Sequence, residues 1–240
     1  MSPPASVLIS PRYLESNYYL EAGNIEPSFF WEFHPTLART RPPKKTSVID
    51  LSQGFEEILA RMKSKTRYNI NLAKKKCLKI KWSKSEKDLK KFWKLSLVTA
   101  KRGKFNAHEY NHYANILTTA SESSANRAEL IFAYSKRKVI SANLILFFNK
   151  TVYYLHGASG NEERNLMSTY LLHWETIERA KKEGFEFYDF WGVDQKKWPG
   201  VTNFKEGFGG KNKEYPPIYE IPLKSYYYKL YRFLRKVSPR

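Results

Sequence analysis

Residues 129–157 read ELIFAYSKRKVISANLILFFNKTVYYLHG. Three runs rich in branched and aromatic side chains, ELIFAYS, VISANLILFF and TVYYLHG, are separated by Lys136-Arg137-Lys138 and Asn149-Lys150. Turns this short join antiparallel neighbours, so the segment predicts a three-strand meander. Downstream, residues 164–182 carry Leu166, Tyr170, Trp174 and Ile177 at helical spacing, and Gly184 is placed to end that helix. FEFYDFWGV, residues 185–193, follows as another strand. A meander, then a helix, then a strand make an α/β layout with a mixed sheet and flanking helices.

Upstream, SVIDL (47–51) reads as a short strand, and Ser52 is positioned to cap a helix carrying Phe55, Ile58, Leu59 and Met62 on one side. A second helix over 66–76 turns Ile70 and Ala73 inward and its lysines outward. After the strand LKIKW (78–82), Ser85 to Asp88 has capping-box spacing and opens a helix running to about residue 101. A further helix covers 108–119. The first 46 residues, rich in Pro and aromatics, show no sustained period and end in ARTRPPKKT, which reads as a linker or exposed loop.

Composition narrows the chemistry. The chain has 240 residues, enough for a sizeable core, and one cysteine, Cys77, which reads as buried packing in a reducing compartment. No run approaches the roughly 20 apolar residues that span a bilayer, and the start lacks the basic-then-apolar order of a signal peptide, so the expected location is cytoplasmic. The net charge of +19 lies entirely beyond residue 50: residues 61–104 hold 17 Lys or Arg against Glu86 and Asp88, and 224–240 hold six basic residues and no acid. Fields of this size attract polyanions such as tRNA, nucleotide diphosphates and anionic lipid surfaces. A solvated basic face on ordinary helices accounts for the same charge. There is no GxSxG elbow and no cysteine in a nucleophile context.

Four segments together resemble the Fem-type (FemABX) peptidyltransferases: KTRYNINLA (65–73), YYLHGAS (153–159), YDFWGVD (188–194) and NFKEGFGG (203–210). The resemblance implies N-acetyltransferase-like (GNAT-like) lobes: one nearly complete over 47–215, a remnant of a truncated N-terminal lobe over 1–46, and a C-terminal strand and basic aromatic helix over 216–240. It implies aminoacyl-tRNA as donor and a UDP-linked or lipid-linked peptidoglycan precursor as acceptor, with no metal and no cofactor. The family's basic residue near the start of the N-terminal lobe has no counterpart here.

Residue by residue, the resemblance puts Lys205 and Phe204 at the acyl-transfer centre. A fixed cation there meets developing negative charge or the terminal tRNA phosphate. Gly207, Gly209 and Gly210 are read as letting backbone approach the substrate. Tyr153 and Tyr154 fall on the precursor-contact strand, one expected in the cleft and the other in the core. His108, Tyr110 and Tyr113 lie where acceptor-binding polar groups are expected, and Arg67 and Asn69 are expected to reach phosphate or uracil, with a purely structural role at the helix start as the alternative. Arg164, Lys65, Lys74 and Lys75 are assigned to tRNA or phosphate. Asp189, Trp191 and Asp194 read as strand-end structural groups, with paired acid–base carboxylates as the alternative. The run SYYYKLYRFLRKV interleaves aromatics with Lys and Arg, as an interfacial helix at the inner membrane face does, or as a helix packing on the N-terminal lobe. Two other readings stay open: a coenzyme A-dependent N-acyltransferase, against which the missing Arg/Gln-x-x-Gly-x-Gly/Ala loop argues, and a non-catalytic tRNA- or RNA-binding remnant.

Overall fold

The computed structural model describes residues 45–119 and 126–214, together with 6–9, 36–37, 219–222, 230 and 233. These fall into two compact units. In the smaller, strands β1 (Ser6–Ile9), β2 (Thr36–Leu37) and β10 (Tyr219–Pro222) form an antiparallel sheet in the order β1-β10-β2. The expected linker over 38–46 lies outside the described residues except for Lys45 and Thr46, which already belong to a strand. The C-terminal basic aromatic run is likewise outside them, except for Leu230 and Phe233, both exposed.

The larger unit runs in chain order through β3 (Lys45–Asp50), α1 (Phe55–Arg61), α2 (Ser64–Lys75), β4 (Lys79–Ser83), α3 (Glu86–Gly103), α4 (Tyr110–Thr119), β5 (Arg127–Ser135), β6 (Lys138–Phe148), β7 (Thr151–Ser159), α5 (Ser168–Lys182), β8 (Phe187–Asp189), α6 (Pro199–Glu206) and β9 (Lys211–Glu214). Its seven-stranded sheet has the order β4-β5-β6-β7-β8-β3-β9. The meander β5-β6-β7 is antiparallel as the short turns require. The pair β7–β8 is parallel, joined by α5 as crossover helix. This is the expected α/β class, a mixed sheet with flanking helices.

Each face of the sheet carries its own core. On one, α1, α2 and α5 bury Ile58, Ile70, Leu172, Trp174 and Ile177 against Ile131, Ile145, Phe147 and Tyr188. On the other, Leu89 and Phe92 of α3 and Tyr113 of α4 cover Leu130, Phe132, Ala142, Leu144 and Ala158. The β6–β7 register shifts between Leu144, opposite His156, and Ile145, opposite Tyr154, leaving Leu155 as an extra residue in β7. Side chains two apart on a regular strand share a face; a bulge breaks that rule. Tyr154 therefore packs with the α5 core while His156 meets Tyr113 on the opposite face.

Several local readings need correction. Ser52 does not cap α1: its main-chain N–H and its hydroxyl both donate to Asp50 (2.9 and 2.6 Å), and the N-cap is Gly54, without a side-chain bond. Cys77 is exposed and left-handed (φ 49°), because α2 has just ended at Lys75. Ser85 does cap α3, accepting from the N–H of Asp88, but the Asp88 carboxylate turns to Lys81 and Lys91 (2.7 Å each) instead of closing the box. The helix expected from 164 is a 3-10 turn, Arg164–Leu166, then α5, with left-handed Met167 between them. The strand over 185–193 shrinks to β8, since Trp191 and Gly192 both adopt positive φ.

Candidate functional site

The parallel pairing of β7 with β8 ends at Tyr153 and Asp189, although β7 continues to Ser159. At that divergence the chain after β8 makes a left-handed turn through Trp191 (φ 52°) and Gly192 (φ 67°). Asp189 is buried, and its carboxylate holds the turn by accepting from the Trp191 N–H (2.6 Å) and from the Thr46 hydroxyl. Asp194 anchors the following loop, accepting from the N–H groups of Lys196 and Lys197 (3.0 Å each). Pro199 at the start of α6 suits a position whose N–H has no helical partner.

This arrangement presents the carbonyls of Trp191 and Gly192 to the last turn of α6. There the buried Lys205 donates to both, at 2.8 Å to Gly192, with its ammonium 5.4 Å above the Tyr154 ring. A buried ammonium is costly unless it is hydrogen-bonded. Two carbonyl dipoles and a π face meet that need and fix the cation in place.

A cluster of aromatic rings continues from Tyr154. Phe204 packs on Tyr170 (centroids 4.9 Å apart), His173 (5.4 Å) and Phe208 (5.5 Å). His173 is buried on α5, its Nδ1 2.7 Å from the Tyr188 hydroxyl and its ring 4.5 Å from Tyr154. Burial, and then the charge of Lys205, push the His173 imidazole down to about 3. Burial pushes the Tyr154 phenol up to about 12. Both rings are neutral at pH 7, and Lys205 supplies the positive charge among them.

Phe204 also lines an open cleft of about 500 Å³, with Lys65 and Asn69 from α2, Ser159 and Gly160 from the end of β7, and Arg164 and Tyr170 before and on α5. Glu162 and Glu163 line it as well. Arg164 is shared with a second hollow of about 510 Å³ beside Lys101, Arg102 and Asn161. Arg102 ties α3 to this loop through the carbonyls of Ser159 and Gly160 (2.9 Å each) and Asn161 Oδ1 (2.8 Å). Lys101, Arg102 and Arg164 make the second hollow cationic, suited to an anionic ligand, whereas in the cleft Lys65 and Arg164 are matched by Glu162 and Glu163.

Of the sequence-selected residues, Lys65, Asn69, Arg164 and Phe204 thus line one cleft, with Lys205 and Tyr154 packed beside Phe204 and its ring neighbours. Tyr153 is nearly buried, edge-on to Trp191 at 5.8 Å. Arg67 points elsewhere: its guanidinium donates to the carbonyls of Leu59 and Ala60 (3.3 Å each) and of Met62, capping the end of α1. Lys74 meets Glu178 (3.4 Å) and the Trp174 ring, and Lys75 is exposed. His108 and Tyr110 belong to the other sheet face. Tyr110 stacks edge-on with Trp93 (5.9 Å), and His108 lies on His112.

The three glycines after α6 serve the protein's own packing. A Cβ on Gly207 would lie 2.7 Å from Thr66 Oγ1, on Gly209 2.4 Å from the Arg61 carbonyl oxygen, and on Gly210 2.5 Å from Ser47 Oγ. His173 escaped the sequence reading, although it sits three residues after Tyr170 and four before Ile177, on the same helical stripe. His156 escaped it because the bulge that orients it is a feature of strand pairing.

A model of the FemAB family matches residues 31–126 and 117–236. The lipid II:glycine glycyltransferase of Staphylococcus epidermidis is 26% identical over 152 residues, covering 61% of this chain and 36% of that protein. The aminoacyltransferase FemA of Staphylococcus aureus is 31% identical over 106 residues, covering 42% of this chain and 25% of FemA. The chain thus matches about a third or less of the length of these relatives. The crystal structure of FemX superposes with a TM-score of 0.71 at 19% identity over 82% of this chain and 66% of FemX. The C-terminal domain of a putative lysylphosphatidylglycerol synthetase from Agrobacterium fabrum gives 0.59 at 11% identity, over 97% and 72% of the two chains.

Proposed function

The chain belongs to the FemAB family, and from that premise we propose that it transfers an aminoacyl group from charged tRNA to the stem-peptide amine of a peptidoglycan precursor. Lys205 carries the proposal: a fixed ammonium, held by two carbonyls, follows Phe204 on the last turn of α6, and Phe204 lines the cleft with Asn69, Lys65 and Arg164. The names of the relatives, a glycyltransferase acting on lipid II and an aminoacyltransferase, support the reaction class and the acceptor.

An aminoacyl ester is already activated, so the reaction needs a neutral amine, correct placement and a charge at the developing oxyanion. The amine nitrogen attacks the ester carbonyl, negative charge gathers on its oxygen beside Lys205, and the ribose oxygen leaves with the proton the amine gives up. No acyl-enzyme is needed. Phe204 and Tyr170 wall the reacting centre from water. Lys65, Arg164, Lys101 and Arg102 take phosphates of the donor or of the precursor. Tyr153 and Tyr154 are assigned to the precursor side. Among the described residues no helix is long and apolar enough to cross a membrane. The basic C-terminal run, with Leu230 and Phe233 exposed, is proposed to touch the inner membrane face where a lipid-linked acceptor resides.

Lys205→Met is the test. It should lower transfer by on the order of 10²–10³, as loss of an oxyanion-stabilising donor does, while precursor affinity measured by calorimetry holds within a few-fold. Equal losses in both would make Lys205 a binding group instead.

A further inference from the structure

We propose that His108, His112 and His156 form a site for one divalent transition-metal ion of the zinc class. Two elements distant in sequence build it. His108 and His112 are four residues apart at the entry to α4, their rings stacked at 4.0 Å. His156 comes from β7, turned to that same face by the bulge at Leu155.

One nitrogen from each ring lies within 4.8 Å of the other two, and Nε2 of His112 is 3.2 Å from Nε2 of His156. Two imidazole nitrogens on a tetrahedral ion with bonds of about 2.0–2.1 Å lie about 3.3 Å apart, so this pair already has ligand spacing. His108 needs only a small side-chain rotation, which its exposed position permits. A hydrogen bond between two neutral imidazoles accounts for the 3.2 Å contact alone. It gives no reason for a third ring at the same point, 5.2 Å from His156.

Tyr113 forms the floor. It is buried and stands edge-on to all three rings, at 6.0 Å from His108, 5.2 Å from His112 and 5.1 Å from His156. Ligation requires unprotonated rings. Three nitrogens leave a fourth position open, and because His108 and His112 are exposed it faces solvent. That pattern suits a water or an anionic oxygen ligand, such as a carboxylate, better than a closed structural site. The family resemblance implies no metal, so this site goes beyond what the resemblance supplies. The inference is independent of the transfer reaction.

The test is cobalt(II) titration of tag-free, chelator-stripped full-length protein at pH 7.5. The visible bands of four-coordinate cobalt should saturate at one ion per chain and be displaced by zinc. His108→Asn, His112→Asn and His156→Asn should each weaken binding by more than the roughly 100-fold that loss of an outer-shell partner costs. His34→Asn should leave it unchanged. His108 and His112 are exposed, so their variants keep the test valid if His156→Asn fails to fold. Absence of saturable absorption, or its persistence in the His108/His112→Asn double variant, would overturn the proposal.

Discussion

Acidification from pH 7.5 to 5.5 should destabilise the protein through His173. Its folded-state value is depressed from 6.5 to about 3 by burial and by Lys205. The native state therefore binds fewer protons than the unfolded chain throughout that interval, so stability is full above pH 6.5 and falls as pH drops toward 3. At pH 5.5, one unit below the unfolded value, the unfolded histidine gains RT ln(1 + 10), about 1.4 kcal/mol, and at pH 7.5 less than about 0.1 kcal/mol. His173 alone should thus cost about 1.3 kcal/mol over two pH units. Urea unfolding of wild type and His173→Gln at the two pH values isolates this term. Glutamine can still bond the Tyr188 hydroxyl but does not titrate, and His156, shifted in the same direction, contributes equally to both proteins. The wild type should lose about 1.3 kcal/mol more than the variant. Parallel losses would mean that His173 is not held neutral, and would remove the argument that Lys205 alone carries the charge beside its aromatic cluster.

Three substitutions probe the scaffold around Lys205. Gly209→Ala places a Cβ 2.4 Å from the Arg61 carbonyl oxygen at a residue with φ +78°, and should cost more than the roughly 1–2 kcal/mol of a left-handed non-glycine residue, read by urea unfolding. Gly200→Ala, in the first turn of α6 with nothing within 4 Å, should instead stabilise by about 0.5–1 kcal/mol and raise Tm. Thr46→Val removes the hydroxyl that holds Asp189 and should cost roughly 1.5–3 kcal/mol, the usual worth of a hydrogen bond to a charged group.

Runs of branched and aromatic residues separated by short turns made the meander legible, because both are local in sequence. The bulge in β7 was not, since one extra residue shows only against its partner strand; without it Tyr154 and His156 would share a face. The α6 helix was illegible for another reason: it spans eight residues and opens with Pro199-Gly200, which reads as a turn. Lys205 and Phe204 were reached through the NFKEGFGG motif, but that Lys205 is buried between two carbonyls depends on the left-handed turn at Trp191 and Gly192. Arg67 attracted a ligand role by its charge, yet the orphan carbonyls ending α1 claim its guanidinium, a contact set by how α1 and α2 pack. His173 read as one more position on a core stripe, and only its bond to Tyr188 and its place beside Phe204 distinguish it.

The central claim is tested most directly by incubating the protein with a mixed pool of tRNAs carrying labelled amino acids and with nucleotide-linked and lipid-linked peptidoglycan precursors. The account predicts label on the stem peptide of at least one precursor, abolished by ribonuclease pretreatment of the tRNA and lost in Lys205→Met. Folded protein that transfers no label to either acceptor from any charged tRNA would contradict it.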